Sequence, residues 1–122
     1  NNLYTAPTAL RAIRKEDPDL ELAKDRDLSS LRGIFLAGER ADPGTVRAYE
    51  KLLGVPLIDN WWQTETGYPI CGFQDDALGR RDGSTSLPMP GYDVSVRSED
   101  GSAVTEPDVA GQLVVKSTEY IA

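Results

Sequence analysis

The sequence predicts an α/β fold in which a βαβ unit of a larger parallel sheet is followed by a small antiparallel β region, part of a barrel. Two observations support this prediction. In the first half, short and wholly apolar runs flank an amphipathic segment, which is typical of buried strands joined by a helix. The second half is rich in Gly, Pro, Ser and Thr and has short β-type runs, which favours small antiparallel sheets. We therefore divide the chain into an α/β part, residues 1–61, and a β-rich part, residues 62–122, of one domain.

The predicted elements of the first half follow in order. Thr8–Glu16 is predicted as a helix with one apolar face, and Ile34–Ala37 as a buried strand. A second helix is predicted to begin after Asp42, an N-cap residue followed by proline, and to end at Gly54. Val55–Ile58 is predicted as the next strand. Strand, helix and strand with short connections predict two parallel strands and a right-handed crossover.

The second half contains two strand candidates and one long loop. Tyr92–Arg97 alternates in character, and Ser98–Gly101 after it is typical of a hairpin turn. Gln112–Lys116 is the second strand candidate. Gly79–Gly91 is predicted as an irregular loop.

Composition and charge exclude several classes of protein. The 122 residues include 13 Lys and Arg, 20 Asp and Glu, one Cys and no His, for a net charge of −7. One cysteine cannot form an internal disulfide, and without histidine there is no Ser-His-Asp or Cys-His catalytic system. Residues 62–122 have 4 basic and 10 acidic side chains, which is −6 of the total. The acidic charge disfavours nucleic acid and anionic membranes as partners, and the apolar runs are too short to span a bilayer.

Two unusual loops follow the predicted parallel strands. Gly38–Arg40 comes after the first strand and Asp59–Gly67 after the second. Ligands of open α/β sheets bind beyond the carboxyl ends of the strands, and the helix that begins after Asp42 presents its N-terminus at the same end. We therefore expect both loops to meet at one edge of the sheet.

The second loop contains two Trp, an amide, hydroxyl groups and carboxylates within nine residues. A Trp face can stack on a flat heterocycle, and Thr hydroxyls and backbone amides donate to phosphate oxygens. Glu65 supplies a hard oxygen ligand of the kind that Mg²⁺ uses together with substrate phosphate. A nucleotide and metal site accounts for this combination. The alternative is that Trp61 and Trp62 anchor a core and the polar residues only form turns and caps, but adjacent side chains of an extended segment point to opposite faces.

The segment Asp59–Gly67, DNWWQTETG, resembles the signature of the acetyl- and propionyl-CoA synthetases, which belong to the adenylate-forming acyl-CoA ligase superfamily. The WWQTETG string is highly specific. Four further segments resemble the same family in the same order and extend the similarity over nearly the whole chain: Leu3–Arg11, Leu31–Arg40, Gly83–Tyr92 and Gly111–Val115.

The resemblance implies an acid–thiol ligase that forms an acyl-adenylate from a carboxylate and ATP and then an acyl-CoA. It implies that ATP or AMP binds at Gly38, Glu39, Arg40, Asp59, Asn60, Trp61, Trp62, Gln63 and Thr64. It further implies catalytic roles for Thr64 and Glu65, with Glu65 as the Mg²⁺ ligand, and an acyl pocket bounded by Ala37 and Trp62. Ala37 stands where acetyl enzymes usually have Val, and Arg40 where many have Pro. Arg40 at its position resembles the propionyl-type branch of the family. Ala37 favours propionate over acetate, because a smaller wall residue leaves room for about one more carbon.

The family also uses parts that these 122 residues lack: a lysine-containing phosphate loop, a ribose-binding Asp and a C-terminal domain with a catalytic lysine. The resemblance therefore implies a central fragment of the large N-terminal domain, in which residues 1–61 and 62–122 are both incomplete parts, and we expect this fragment to be inactive alone. Its substrates in the complete enzyme would be a short-chain carboxylate, ATP and CoA with Mg²⁺, and its partner would be the remainder of the polypeptide. The expected compartment is the cytoplasm or the mitochondrial matrix. The competing hypothesis is a stand-alone, non-catalytic module that binds a nucleotide or a protein.

Overall fold

The computed structural model describes residues 1–73 and 81–117. The chain divides into two compact units, Asn1–Leu87 and Pro88–Ala122. The predicted division into residues 1–61 and 62–122 describes a change in composition, and it stays a prediction. Within the described residues, no helix has the length and apolar character needed to cross a membrane.

The first unit is built on a three-stranded parallel sheet with the order β1-β2-β3. Its elements are β1 (Asn2–Thr5), α1 (Pro7–Glu16), β2 (Gly33–Leu36), α2 (Pro43–Leu53) and β3 (Leu57–Asp59). A 3-10 turn, Glu21–Ala23, lies between α1 and β2. This arrangement confirms the predicted α/β fold with a parallel βαβ unit.

Helix α2 begins and ends as its sequence predicts. The Asp42 side chain accepts a hydrogen bond from the backbone N–H of Thr45 at 2.8 Å, and proline occupies the first helical turn. Gly54 ends the helix with a φ of 68°, a left-handed conformation that suits glycine.

Strand β1 is the main departure from the prediction. Asn2–Thr5 has no apolar run or alternation that would indicate a strand, and most of its side chains are exposed. It is a strand because it pairs in register with β2, from Asn2 with Gly33 to Thr5 with Leu36. Strands β2 and β3 also differ from the prediction by one or two residues at their ends.

The core lies between one face of this sheet and both helices. Consecutive right-handed crossovers between neighbouring strands place their helices on the same side of a sheet. The buried core residues are Leu10, Ile34, Leu36, Ala41, Val46, Tyr49 and Leu57. The buried hydroxyl of Tyr49 donates to the carbonyl of Leu10 at 2.8 Å, so the helices are joined by a polar contact within the apolar core.

The opposite face of the sheet presents a different set of side chains. Tyr4, Phe35 and Ile58 are register partners across the three strands, so their side chains share that face. They are half-buried or exposed, and the two helices do not cover them.

The antiparallel part consists of two small sheets. Strand β4 (Cys71–Phe73) pairs with β5 (Leu87–Pro88), so the predicted loop 79–91 contains a short strand. Residues 79 and 80 of that prediction lie outside the described residues.

Strands β6 (Tyr92–Arg97) and β7 (Gln112–Ser117) form an antiparallel pair. The predicted turn after β6 is present, with the amide of Gly101 donating to the carbonyl of Ser98 at 2.9 Å. The residues directly after this turn pair with β6 only through an isolated bridge between Ala103 and Arg97. The strand that pairs with β6 along its length is β7.

Candidate functional site

The two loops predicted to meet do lie together at the carboxyl ends of β2 and β3. Leu36 is the register partner of Asp59, and the amide of Asn60 donates to the carbonyl of Leu36 at 2.7 Å. The backbone N–H of Ala41, at the end of the first loop, donates to Asp59 Oδ2 at 3.2 Å. Parallel pairing brings these segments together, as expected for neighbouring strands of one sheet.

Asp59 is the buried charge of this edge, with 7% of its surface exposed. Its Oδ1 is buried and has no hydrogen-bond partner among the described residues. Burial raises the pKa of Asp59, although the backbone amides of Ala41 and Asn60 and the charge of Arg40 oppose the rise. A small cavity of about 10 Å³ adjoins Asp59 and is also lined by Ala41, Val46, Leu57 and residues 81–84. A cavity of this size holds about one water molecule, so a larger donor reaches Oδ1 only when the residues that line the cavity move.

Asn60 uses its side chain to join backbone segments. Its Nδ2 donates to the carbonyl of Ile58 at 3.0 Å, and the side chain packs against Gly72 of β4. Gly72 has a φ of 148°, and a Cβ there would overlap Asn60 Oδ1. The glycine thus permits the close approach of β4 to the loop.

Trp61 and Trp62 have different surroundings, as expected for adjacent residues of an extended segment. The backbone of Trp61 exchanges hydrogen bonds with Cys71, at 3.0 and 3.1 Å, which closes residues 62–70 into a loop. The Trp62 ring is 38% exposed and meets Tyr4 edge to face, with centroids 6.5 Å apart and planes at 89°. Trp62 therefore lies beside the face of the sheet that the helices leave uncovered.

The polar part of this loop is a 3-10 turn, Thr64–Thr66. The Thr66 hydroxyl accepts from the amide of Gln63 at 3.3 Å and donates to the carbonyl of Gln63 at 2.7 Å. Gly67 ends the turn with a φ of 71°. The turn therefore fixes Gln63 and Thr66 and leaves the side chains of Thr64 and Glu65 exposed.

Glu65 has the exposed carboxylate oxygens that a magnesium ligand requires. Its exposed carboxylate forms no ion pair or side-chain hydrogen bond within residues 1–73 and 81–117, and the same residues contain no cluster of three or more acidic or cysteine side chains able to hold a metal by themselves. Mg²⁺ commonly binds through one or two carboxylates together with substrate phosphate. A single free carboxylate beside hydroxyl groups suits that mode.

The first loop is held mainly through Glu39. Glu39 Oε1 accepts from the backbone N–H of Thr8 at 2.6 Å and also from the Thr8 hydroxyl, and Oε2 accepts from Arg11 at 2.8 Å. Hydrogen bonds from Thr8 and Arg11 lower the pKa of Glu39. Because this carboxylate contacts α1, the loop offers a ligand its backbone and the exposed side chain of Arg40 rather than Glu39.

Ala37 precedes this loop, and Arg40 is its last residue. Ala37 is buried, with its amide donating to the carbonyl of Thr5 at 3.3 Å. A Cβ at Gly83 would lie 3.0 Å from Arg40 Nη2, so the exposed Arg40 packs over a glycine. An ion pair of 2.5 Å between Arg47 and Asp82 holds the same outer segment against α2.

Sequence reasoning missed the residues that support the loops. They are Thr8 and Arg11, which bind Glu39, together with Gly72 beside Asn60 and the pair Arg47 and Asp82. Thr8 and Glu39 are 31 positions apart, and neither belongs to a local pattern that would indicate the contact.

Comparisons with known proteins follow from this geometry. A family model described as AMP-binding enzyme matches residues 1–121. The acyl-CoA synthetase short-chain family member 3, mitochondrial, of Bos taurus is 39% identical over 120 residues, which cover 93% of this chain and 17% of that protein. The propionate–CoA ligase of Salmonella typhimurium is 40% identical over 119 residues, covering 95% and 18%.

A solved structure shares the same fold over nearly the whole chain. The anthranilate CoA ligase AuaEII in complex with anthranoyl-AMP matches with a TM-score of 0.79 and 26% identity, covering 96% of this chain and 21% of that one. The chain thus spans less than a fifth of the length of the two curated relatives.

Proposed function

The chain belongs to the AMP-binding enzyme family, and from this we propose that it forms part of an ATP-dependent short-chain acyl-CoA ligase. The reaction joins a carboxylate to AMP with release of pyrophosphate, and the thiol of CoA then displaces AMP to form a thioester. Two relatives that carry the names of short-chain acyl-CoA synthetase and propionate–CoA ligase support this proposal.

The observation that carries the proposal is the unpartnered buried oxygen of Asp59 at the edge where the two loops meet. A buried acceptor without a partner is costly, so such an atom is expected to meet a donor when the site is filled. In this proposal the amino group of adenine is that donor, and its approach requires residues 81–84 to move from the cavity beside Asp59. In this proposal the backbone of Gly38–Arg40 and the side chain of Trp61 bound the same adenine, with Asn60 holding the loop against β4.

Thr64 and Glu65 are proposed to act on the phosphates. Thr64 donates to the α-phosphate, and Gln63 approaches the nucleotide beside it. Glu65 holds Mg²⁺, which when bound neutralises charge on the phosphate oxygens. The chain's own contribution is to position these groups on a short, capped turn, because phosphoryl and adenylyl transfers depend on positioning and electrostatic stabilisation.

The acyl group is proposed to lie near Ala37 and Trp62. Alternation along β2 places Ala37 on the side of Phe35, which is also the side where Trp62 meets Tyr4. The small side chain of Ala37 favours propionate over acetate, by the ~1–3 kcal/mol that one methylene group is worth in a pocket. The cytoplasm or the mitochondrial matrix is the proposed compartment, and one of the relatives is named as mitochondrial.

The test uses the full-length polypeptide that contains this chain, in ATP–pyrophosphate exchange with acetate or propionate. We expect carboxylate-dependent exchange with a higher kcat/KM for propionate. Asp59→Asn is expected to raise the KM for ATP, and Glu65→Gln to raise the Mg²⁺ concentration needed for half-maximal rate. Asp100→Asn, which changes a turn carboxylate of the second unit, is the matched control. An absence of exchange with any short carboxylate would contradict the proposal.

One observation favours a second candidate, a non-catalytic module. Tyr4 and Trp62 are exposed on a face that the helices do not cover, and such a face can receive a partner. Titration of the isolated chain with AMP separates the alternatives. Quenching of Trp emission favours a nucleotide site, whereas self-association without quenching favours a protein-binding surface.

A further inference from the structure

A carboxylate of the Gly38–Arg40 loop caps a helix from another part of the chain. Helix α1 starts at Pro7, and its N-cap residue Ala6 makes no side-chain hydrogen bond. The first amides of a helix lack partners within the helix. Glu39 provides one from outside, by accepting from the backbone N–H and the hydroxyl of Thr8.

Arg11 extends this contact to the next helix. Its Nη2 donates to Glu39 Oε2 at 2.8 Å and to the Thr8 hydroxyl at 2.7 Å, while its Nη1 lies 3.7 Å from Asp42 Oδ2. Asp42 is the N-cap of α2. The segment between β2 and α2 is therefore tied to α1 at Glu39 and again at its end.

The loop needs such a tether because of its first residue. Gly38 has a φ of 93°, and nothing lies within 4 Å of the position a Cβ would take. Glycine is the residue least restricted in conformation, so the loop gains little order from its own backbone. Within the loop, the side-chain hydrogen bonds that supply this order are those of Glu39.

We propose that Glu39 is a positioning residue, whose side chain binds Thr8 and Arg11 and thereby fixes the backbone of Gly38–Arg40 against which the nucleotide binds. This inference rests on the proposed function and changes the role of Glu39 within it. The carboxylate meets three donors of α1, so the nucleotide meets the backbone of the loop rather than this side chain. Thr8 and Arg11 become part of the nucleotide site without touching the nucleotide.

The variants for the test are made in the full-length polypeptide. Glu39→Ala removes the acceptor, and Thr8→Val removes the hydroxyl donor but keeps the amide. Thr8→Ser keeps both donors and is the conservative variant. Glu21→Ala is the matched control, because it breaks an exposed ion pair with Lys24 on a separate 3-10 turn.

Two measurements are made on each variant: hydrogen–deuterium exchange of the peptide that contains residues 38–41, and the KM and kcat of ATP–pyrophosphate exchange. In Glu39→Ala we expect deuterium uptake about tenfold faster, because the loop opens locally more often. We also expect a KM for ATP about tenfold higher with kcat within about twofold, because the change weakens binding of the ground state and the transition state equally. Thr8→Val should show about threefold effects on both, and Thr8→Ser and Glu21→Ala none. The double variant Glu39→Ala with Thr8→Val should resemble Glu39→Ala alone, because both substitutions break the same contact between Glu39 and Thr8.

A further variant separates positioning from helix capping. Ala6→Ser added to Glu39→Ala supplies a local N-cap for α1. We expect Glu39→Ala alone to lower the thermal melting temperature as well, and the added Ala6→Ser to restore it while deuterium uptake and KM stay raised. Return of all three would mean that Glu39 acts only as a cap, and would overturn the inference. A Thr8→Val variant with unaltered uptake and KM would overturn it too, and so would effects of the two substitutions that add in the double variant. Either result would mean that Glu39 acts without Thr8, through a direct contact between the carboxylate and the nucleotide.

The deuterium measurement also stands without catalysis. If the unaltered protein shows no ATP–pyrophosphate exchange, the proposed function fails. Faster uptake in Glu39→Ala and Thr8→Val would still support positioning of the loop, and unchanged uptake would overturn it.

Discussion

The two oxygens of Asp59 have different surroundings. Oδ2 accepts from the amide of Ala41, whereas Oδ1 is buried without a partner among the described residues. Leaving such an acceptor unpaired costs about 1–3 kcal/mol. A residue of this kind reduces stability, and the proposed function explains it as a contact kept for a ligand.

Asp59→Asn is expected to stabilise the protein at pH 7 by about 1 kcal/mol, because the substitution removes a buried charge and keeps an acceptor for Ala41. The pKa of Asp59 is raised in the folded state, so ionisation of this carboxyl lowers the free energy of unfolding. The loss is absent below the unfolded-state pKa of about 3.9 and grows as pH rises towards the folded-state pKa. The gain should therefore shrink as pH falls. Urea denaturation of the variant and the unaltered protein at several pH values measures this difference.

Asp100 serves as a control because its pKa is shifted in the opposite direction from that of Asp59. Hydrogen bonds from Ser98 and Ser102 lower the pKa of Asp100 to about 2, so its ionised form favours the folded state. Asp100→Asn should lower stability at pH 7, and its effect should fade as pH drops from about 3.9 towards 2. Equal effects of both substitutions at pH 7 would contradict this account.

Gly72 is the residue that admits Asn60. Gly72→Ala places a Cβ on Asn60 Oδ1 and strains a φ of 148°. We expect it to cost about 2 kcal/mol more than Gly101→Ala, because overpacking is added to backbone strain. Gly101 has a φ of 84° with open space around it, so its substitution measures the backbone contribution alone. Chemical denaturation of the two variants tests this difference, and equal costs would show that Asn60 moves freely.

Helix α2 links the sheet to the site through its first turn. Its N-cap Asp42 binds the amide of Thr45, and the residue before it, Ala41, donates to Asp59. A looser N-terminus would therefore change the support of the buried carboxylate as well as the helix.

Asp42→Ala is expected to destabilise the protein by about 1 kcal/mol at pH 7, the usual cost of losing an N-cap. The hydrogen bond from Thr45 lowers the pKa of Asp42, so its stabilising effect is complete above about 3.9 and is lost as pH falls through the folded value. Thermal denaturation across this range measures the effect. Asp42→Ser keeps a capping oxygen without the charge, and it should retain most of the stability and lose the pH dependence.

The chain contains the residues proposed to bind adenine and the acyl group. They lie at the carboxyl ends of β2 and β3 and in the loop Asp59–Gly67. The phosphate loop and catalytic lysine implied by the family resemblance are not among its 122 residues, and its relatives are more than five times longer. Catalysis by positioning requires the reacting groups to be held together.

We expect the 122-residue chain alone to form no acyl hydroxamate from ATP, Mg²⁺ and propionate. Hydroxylamine trapping measures this product, and the full-length polypeptide serves as the positive control under the same conditions. Turnover by the chain alone that depends on both ATP and propionate would contradict the expectation.

Much of the fold was predictable because its signals are local. The bounds of α2 follow from Asp42 and Gly54, which act on the amides and dihedral angles of their own neighbours. The apolar runs of β2 and β3 predict a parallel pair, and parallel pairing places the loops after them at one edge. The DNWWQTETG segment in the second loop predicted the family, and a family model confirms it. The individual residue roles stay predictions.

The sequence by itself determined the βαβ unit, the caps of α2, the family and the edge of the sheet where the loops meet. Only the tertiary structure decided that Asn2–Thr5 is a strand, that Glu39 binds Thr8, and that Asn60 packs on Gly72. The physical reason is distance along the chain. Caps, turns and periodic burial depend on interactions between near neighbours, whereas these contacts join segments whose approach is set by the packing of the sheet and helices.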